Sequence, residues 1–141
     1  AARAASEESA AAAGVQRPLV IGVTLLTSIG EATLNNELRV PGQVSDHVVH
    51  LARMAQQARL DGVVASPHEI EPIRAACGPD FLIITPGVRP TGADPGDQKR
   101  VMTPAEAISR GADYLVIGRP ILRAPDPRAA ARAIAAEMSG F

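Results

Sequence analysis

Four short apolar runs constrain what this chain can fold into more than any other feature of its sequence. They lie at residues 19–26, 62–65, 81–84 and 114–117, they are rich in β-branched side chains, and small, polar or proline residues close each one. A continuous apolar run of about four to eight residues, without alternation, is typical of a strand buried on both faces of a parallel sheet. The sequence therefore predicts four such strands.

Helical patterns separate the four runs. Residues 44–58 place apolar side chains on a single stripe, and Ser45 or Asp46 is positioned to cap the start of that helix. Three further helices are predicted, each with a proline in its first turn, over residues 67–76, 103–110 and 127–138. The second of these begins with Thr103 and has Glu106 three residues later, which is the spacing of a capping box.

The alternation of strands and helices favours an α/β architecture with right-handed crossovers. The strand–helix units average roughly 30–35 residues, the spacing of a (β/α)₈ TIM barrel of about 250 residues, so four units make half of such a parallel barrel. A weak echo between residues 60–67 and 112–120 supports a repeated unit. A doubly wound sheet is the competing architecture, but it needs a glycine-rich loop after its first strand, and residues 24–30 (TLLTSIG) are not one.

The first residues read as the inside of a helix. Residues 1–14 are rich in alanine, they end at Gly14, and neither a Met nor an N-capping residue precedes them. We expect this segment to be the end of a preceding helix, with residues upstream removed by truncation or proteolysis. On this interpretation residues 1–141 are a single partial domain, the C-terminal half of a TIM barrel.

Composition limits the classes of function. A formal charge of −1 gives no electrostatic basis for binding nucleic acid or an anionic membrane, and two Phe, one Tyr and no Trp leave few rings for stacking bases. No apolar run approaches the roughly 20 residues that span a bilayer. Cys77 is the only cysteine, which excludes an intrachain disulfide, so a reducing cytoplasm is the expected compartment.

Two arginines beside glycines predict a phosphate site. Ligands of a barrel lie at the C-terminal ends of its strands, and here the last two strands are followed by Arg89, close to Gly87, and by Arg119, directly after Gly118. Gly118 permits close approach of the backbone and offers an N–H, while the two guanidinium groups can hold phosphate oxygens from two sides. A lone arginine is more often a solvated surface residue, but the joint placement after consecutive strands favours the phosphate site.

Residues 87–100 form a long polar loop with three glycines and two prolines, and such loops in compact domains are commonly active-site lids. Within it, Gln98 can donate and accept at once, and so bridge a phosphate and a heterocycle carbonyl. Thr27 and Ser28, after the first run, can hydrogen-bond a polar ring edge. The alternatives are an ordinary loop side chain for Gln98 and a turn or helix cap for Thr27 and Ser28.

Other polar residues are assigned structural roles. His47 and His50 have a spacing compatible with metal, but no third ligand is placed near them, so no metal site is predicted. Asp61 and Asp113 immediately precede strands, at the end opposite the ligand, and are interpreted as turn or stability residues. Cys77 has no basic neighbour in sequence to lower its pKa and is expected to be unreactive.

Several motifs together carry a family resemblance. They are TPGVRP at 85–90, DQKRVMTPAEA at 97–107 and GADYLVIGRPI at 111–121, with LVIGVTLLTS at 19–28 and LDGVVASP at 60–67. With these motifs the chain closely resembles bacterial orotidine 5'-phosphate decarboxylases over nearly everything after Arg17.

The resemblance implies a TIM barrel that uses no cofactor and converts orotidine 5'-phosphate (OMP) to uridine 5'-phosphate (UMP) and CO₂ in de novo pyrimidine synthesis. It implies that Thr27 contacts the pyrimidine, that Arg89, Arg119 and the Gly118 amide hold the phosphate, and that Gln98 in the closing loop touches phosphate and base. It also implies a homodimer for the full-length protein.

One requirement of the family is missing from this sequence. Its decarboxylation depends on alternating aspartates and lysines, including an Asp-x-Lys-x-x-Asp motif on an earlier strand, and no such motif occurs here. Asp97 and Lys99 begin the pattern, but Met102 stands in place of its second aspartate. We therefore expect no catalytic residue in this chain, which would be the inactive, phosphate- and pyrimidine-binding half of a carboxy-lyase.

Two alternatives stay open on the sequence alone. Another phosphate-binding barrel, such as a hexulose-phosphate synthase, would share the phosphate site, although the motif at 85–90 with residues 97–100 favours the decarboxylase. The other alternative is a non-catalytic half-barrel fragment that binds phosphate esters, or that pairs with itself or with a missing half.

Overall fold

The computed structural model of this chain describes residues 1–90 and 102–139. Its helices are α1 (Ala2–Ala13), α2 (Val44–Gln57), α3 (Ile70–Cys77), α4 (Pro104–Ser109), α5 (Arg119–Leu122) and α6 (Pro127–Met138). Its strands are β1 (Ile21–Val23), β2 (Gly62–Val64), β3 (Leu82–Pro86) and β4 (Tyr114–Val116), with a π-helical turn at Thr33–Glu37 and a 3-10 turn at Pro67–Glu69.

Each of the four apolar runs overlaps a strand, so the predicted α/β alternation is confirmed, although β3 continues to Pro86, two residues beyond its run. The strands pair side by side in the order β1-β2-β3-β4, and every pairing is parallel. β1 is shorter than its run, which covers 19–26, because only Ile21–Val23 pairs with the neighbouring strand.

Helices cover only one face of the described sheet. On that face Val63 and Ile83 are buried in a core with residues of α2 and α3, among them Val48 and Ile73. A doubly wound sheet needs helices on both faces, so burial on a single face argues against that architecture for the described residues.

The other face of the sheet, here called the open face, is apolar and uncovered. The register sets Val23, Val64, Ile84 and Tyr114 side by side, with Val116 further along β4. Val23 is 65% exposed, and Tyr114 and Val116 are each 54% exposed. The prediction that the strands are buried on both faces is therefore wrong for the described part of the chain, because nothing in that part packs over this side.

Helix capping agrees with the sequence pattern at α4 but not at α2. Thr103 Oγ1 accepts a hydrogen bond from Glu106 N at 3.2 Å, and the Glu106 carboxylate accepts one from Thr103 N at 2.9 Å, which completes a capping box. α2 begins after Gln43, whose side chain makes no cap. The prediction of a cap by Ser45 or Asp46 is wrong, because both residues already lie inside the helix.

The π-helical turn Thr33–Glu37 and the short helix α5 have no counterpart among the predicted elements. Both are too short for a hydrophobic period to be recognised. The Asn35 side chain links the π-helical turn to Gly42. Its oxygen accepts a hydrogen bond from Gly42 N at 2.9 Å, and its amide group donates one to Gly42 O at 3.0 Å. The Asn35 side chain thus satisfies backbone groups of Gly42. The hydrophobic periodicity of the sequence does not predict such a side-chain to backbone contact.

Two aspartates hold neighbouring strands together at the N-terminal end of the sheet. Asp61, directly before β2, accepts a hydrogen bond from Val20 N at 2.6 Å, and its own N–H donates to Val20 O at 2.9 Å. Asp113, directly before β4, forms the same reciprocal pair with Ile83, at 2.7 and 3.0 Å. Both aspartates therefore act on strand register, in agreement with their interpretation as stability residues.

Arginines neutralise both carboxylates. Arg17 donates to the two oxygens of Asp61 at 2.6 and 2.8 Å, and Arg3 of α1 adds a contact at 2.8 Å. Arg74 donates to Asp113 at 2.8 Å. The Arg17 hydrogen bonds, helped by the Val20 N–H and opposed by partial burial, lower the pKa of Asp61 from 3.8 to about 2.

Gly62 is required by the close approach of β2 and β3. A Cβ at this position would overlap the carbonyl oxygen of its register partner Leu82 and lie 2.5 Å from the Leu82 Cβ. A Cβ at Gly30, in contrast, would meet nothing within 4 Å.

Gly62→Ala is expected to lower the free energy of unfolding by about 2–4 kcal/mol, because the backbone of β2 or β3 must shift to admit the methyl group. Urea unfolding followed by circular dichroism measures the change. Gly30→Ala is the matched control and should stay within about 0.5 kcal/mol of the parent chain. Equal effects of the two substitutions would contradict the steric argument.

The Asp61 contacts predict how stability depends on pH. Because the pKa of Asp61 is lower in the folded chain than its ordinary 3.8, its contribution to stability is complete above about pH 4 and is lost as the pH falls through about 2. Asp61→Asn removes this contribution, so we expect a loss of about 1–2 kcal/mol at neutral pH that shrinks toward pH 2.

Urea unfolding of the parent and Asp61→Asn chains at about pH 7, 4 and 2.5 measures this difference. Asp80→Asn, at an exposed position, makes the same change in charge and serves as the control. If the stability difference between parent and variant did not decrease on acidification, or if Asp80→Asn reproduced it, Asp61 would not be the acid-sensitive contact.

Candidate functional site

The loops that follow the four strands emerge at one edge of the sheet, because the strands are parallel. This edge, the C-terminal edge, is where ligands of parallel α/β sheets and barrels bind. It carries the sequence-predicted residues Thr27, Ser28, Arg89, Gly118 and Arg119.

A cavity of about 270 Å³, here called the strand-end cavity, opens where β1, β2 and β3 end. It is lined by Val23, Leu25, Leu26, Thr27, Ser28, Val64, Ala65 and Pro86. Its wall is apolar except for the two hydroxyl-bearing residues on the β1 side. A flat ring with an apolar face and a polar edge suits such a wall.

The apolar half of the strand-end cavity was not predicted. Leu25 and Leu26 belong to the first apolar run, which predicts a strand over residues 19–26. In the structure β1 ends at Val23 and the chain then turns, with Ile29 N donating to Leu26 O at 2.9 Å. Leu26 is consequently exposed at the cavity instead of buried in the core. The polar pair TS after the run was the only sequence signal that the strand stops near this point.

Arg89 is a buried cation. The residue is only 6% exposed, and its Nη1 donates to the carbonyl of Val88 at 2.8 Å. Among the described residues, no other hydrogen bond and no carboxylate is found for this guanidinium, which has five N–H donors. A buried charge without a counter-charge costs several kcal/mol, and within residues 1–90 and 102–139 no carboxylate neutralises this one.

The backbone of Arg89 is fixed on both sides. Val88 before it is fully buried, and Arg89 N donates to Met102 O at 2.9 Å. This bond brings together the two ends of the segment predicted as a lid, and Met102 itself is buried in the core. Gln98 and the rest of residues 91–101 lie outside the described residues.

Gly118 and Arg119 follow the strand next to the one that leads to Arg89. Pro86 of β3 pairs with Val116 of β4, so the two loops leave the sheet side by side. A Cβ at Gly118 would meet nothing within 4 Å, so packing among the described residues does not demand glycine there. Arg119 is half-buried and begins α5.

Thr85, one residue before Pro86, is a further polar residue at this edge that the sequence did not single out. It is fully buried, and its Oγ1 has no hydrogen-bond partner among the described residues. Its register partner is Leu115, on the face that the helices cover, so the hydroxyl does not line the strand-end cavity. A threonine in a strand is ordinarily a packing residue, and no sequence signal distinguishes this one.

The remaining candidates are not grouped into a site. His47 and His50 stack on α2 with ring centroids 6.5 Å apart, and within residues 1–90 and 102–139 no cluster of three or more His, Cys, Asp or Glu side chains could hold a metal ion. Over the same residues, no helix has the length and apolar character needed to cross a membrane.

The surroundings of Cys77 differ from those expected from the sequence, although the thiol is unreactive in both cases. Arg53 on α2 and Arg74, three residues before Cys77 on α3, are basic neighbours, and both act to lower the pKa of the thiol. The expectation that Cys77 has no basic neighbour in sequence is therefore wrong for Arg74. Burial has the larger effect and raises that pKa, so the thiolate is disfavoured for a different reason than the one expected.

Comparison with known proteins agrees with this geometry. The chain is 59% identical over 138 residues to an orotidine 5'-phosphate decarboxylase of Moorella thermoacetica, covering 98% of this chain and 55% of that protein. It is 57% identical over 122 residues to the corresponding protein of Heliobacterium modesticaldum, covering 86% of this chain and 50% of the relative. The chain thus spans about half the length of the curated relatives it matches.

Solved structures show the same relation. The orotidine 5'-phosphate decarboxylase of Lactobacillus acidophilus superposes with a TM-score of 0.76 at 38% identity, over 91% of this chain and 52% of that one. The enzyme of Pyrococcus horikoshii OT3 superposes with a TM-score of 0.63 at 27% identity, over 89% and 53%. The four parallel strands therefore correspond to about half of a TIM barrel, as predicted.

The sequence profile of the orotidine 5'-phosphate decarboxylase / HUMPS family matches residues 1–134, nearly the whole chain. With its four-stranded parallel sheet and this match, the chain belongs to the orotidine 5'-phosphate decarboxylase / HUMPS family.

Proposed function

We propose that this chain is the phosphate- and pyrimidine-binding half of an orotidine 5'-phosphate decarboxylase, acting on OMP to form UMP and CO₂. The observation that carries the proposal is Arg89, a buried guanidinium at the C-terminal edge for which the described residues offer no counter-charge. Relatives that share 50–60% of their residues with it are named for this activity.

In the proposed site the phosphate binds between the loops after β3 and β4. Arg89 donates from one side, and Arg119 with the Gly118 N–H donates from the other. Each charge-assisted hydrogen bond of this kind contributes about 1.5–3 kcal/mol. The phosphate would also remove the electrostatic cost of burying Arg89, so binding and the stability of this loop are coupled.

The pyrimidine occupies the strand-end cavity in this proposal. Its face packs on Leu26 and Pro86, and its polar edge meets Thr27 and Ser28, which lie on one wall of the cavity. Gln98 is proposed to reach both the phosphate and the base from the closing loop at 87–100. No cofactor and no metal are part of the proposed site.

The bond-breaking step is assigned to residues outside this chain. Decarboxylation leaves an electron pair at C6 of the pyrimidine, which must be stabilised by a cation and then protonated. Lys99 is the only lysine of the chain, and the motif Asp-x-Lys-x-x-Asp does not occur in it. We therefore propose that the 141 residues bind nucleotide but need the remaining half of the barrel for turnover.

We further propose that the complete protein acts in the cytoplasm as a homodimer. The single free cysteine is compatible with a reducing compartment. The homodimer rests on the family resemblance alone.

The binding proposal predicts that the 141-residue chain binds UMP with micromolar affinity in isothermal titration calorimetry. Arg89→Ala should weaken binding by about 10- to 150-fold, since it removes charge-assisted hydrogen bonds of about 1.5–3 kcal/mol. Arg110→Ala is the control, because Arg110 forms only an exposed ion pair with Glu71 at 3.0 Å. Undetectable binding by the parent chain, or equal loss in both variants, would rule out the proposed site.

Gly118→Ala separates a ligand role from a packing role. The added methyl group meets no described atom within 4 Å, so the free energy of unfolding should change by less than about 0.5 kcal/mol. UMP affinity should fall at least about tenfold, because the methyl group obstructs the approach of the phosphate to the backbone N–H. Unchanged UMP affinity would remove Gly118 from the site.

Turnover is predicted to be absent from the chain alone. Release of CO₂ from OMP by purified 141-residue protein should stay at the level of a blank, whereas a full-length relative under the same conditions provides the positive control. A rate near that of the relative would show that the catalytic groups are present after all.

A further inference from the structure

Two peptide units connect the buried guanidinium of Arg89 to an exposed carboxylate. Arg89 Nη1 donates to Val88 O at 2.8 Å, and the N–H of that same peptide, Arg89 N, donates to Met102 O at 2.9 Å. The N–H of the Met102–Thr103 peptide in turn donates to Glu106 Oε2 at 2.9 Å. This series of three hydrogen bonds is here called the backbone relay.

The hydrogen bonds of the backbone relay all point the same way, from the guanidinium cation toward the carboxylate anion. Hydrogen bonds that are linked through peptide groups polarise one another and so become stronger. The bonds at the two ends, made by Arg89 and by Glu106, are also charge-assisted. The carboxylate of Glu106 therefore acts on the position of the Arg89 guanidinium through the backbone.

Side chains on both sides hold the two peptides of the relay in place. Val88 is fully buried and Met102 is 5% exposed, and both belong to the apolar core. On the α4 side, Glu106 Oε2 accepts a second hydrogen bond from Thr103 Oγ1 at 2.9 Å. Because the Glu106 side chain is exposed, its replacement leaves the core intact.

We propose that Glu106 is a positioning residue of the phosphate site, acting through the backbone relay on Arg89. The inference rests on the proposed function, in which Arg89 binds the phosphate. A guanidinium that is already held loses less side-chain freedom when the ligand binds, and a displacement of about 1 Å is enough to weaken a well-aligned contact. The proposal assigns Glu106 no contact with the ligand itself.

Calorimetric titration of the 141-residue chain with UMP measures the effect on affinity. Glu106→Ala should weaken UMP binding about 3- to 10-fold, and Glu106→Gln should bind like the parent, because a glutamine oxygen can also accept from Thr103 N in a capping box. Asp126→Ala is the matched control, since Asp126 caps α6 by accepting from Ala129 N at 3.0 Å and is not part of the relay. Equal loss of affinity in Glu106→Ala and Asp126→Ala would overturn the proposal.

A double-mutant cycle separates an effect through Arg89 from a general loss of stability. In the Arg89→Ala background, Glu106→Ala should change UMP affinity by less than about twofold, because the group that Glu106 positions is gone. The same loss of affinity in both backgrounds contradicts the inference.

The titrations also distinguish failure of this inference from failure of the proposed function. Absence of UMP binding by the parent chain overturns both. Binding that Arg89→Ala weakens and Glu106→Ala leaves unchanged overturns only the positioning role of Glu106.

Hydrogen exchange tests the relay without a ligand. The Arg89 amide should exchange at least about tenfold faster in Glu106→Ala than in the parent chain, because its bond to Met102 O opens more often. Asp126→Ala, which loses a comparable helix cap, shows the change that is due to stability alone. If the Arg89 amide exchanged equally fast in the two variants, the carboxylate of Glu106 would not be holding it.

Discussion

The parallel hydrogen-bonded ladder from β1 to β4 is the constraint on which the other features depend. Since all four strands run in one direction, their C-terminal ends meet at a single edge, and residues as far apart in sequence as Thr27 and Arg119 leave the sheet together. The ladder is fixed at its other end by Asp61 and Asp113, which each bind the backbone of the neighbouring strand. Strand register and the position of the C-terminal edge are thus set by the same contacts.

The charged groups at the two ends of the sheet differ in whether the described residues provide a partner of opposite charge. At the N-terminal end, Asp61 is neutralised by Arg17 and Arg3 within the chain, and its pKa is lowered accordingly. At the C-terminal edge, Arg89 is buried, and among the described residues it has only the Val88 carbonyl as a partner. A charge that is satisfied internally stabilises the fold, whereas a buried charge that is not satisfied favours binding of a ligand of opposite sign.

The apolar side chains of the sheet also fall into two groups, which are buried on one face and exposed on the other. Val63 and Ile83 are buried under α2 and α3, while Val23 and Tyr114 on the opposite face are more than half exposed. In the relatives, of which this chain spans about half, the length that remains is enough for a second set of strands. Within the described residues, the open face is therefore the apolar surface that has no packing partner.

The sequence by itself determined the order and type of the main elements and which residues follow the strands at the C-terminal edge. Apolar runs of strand length, prolines at helix starts and the Thr103 capping box are local signals, and the structure has the corresponding strands and helices. The motifs around Arg89 and Gly118 were sufficient to identify the family. These properties depend on neighbours in sequence, which is why they could be read without a structure.

Only the tertiary structure decided which faces are buried and which contacts are made. An apolar run looks the same whether one or both faces are covered, so the exposure of Val23 and Tyr114 could not be predicted. The turn that exposes Leu26 to the strand-end cavity and the burial of Arg89 were likewise absent from the sequence pattern. Each of these depends on chain segments that are distant in sequence and meet only when the sheet forms, so no local pattern records them.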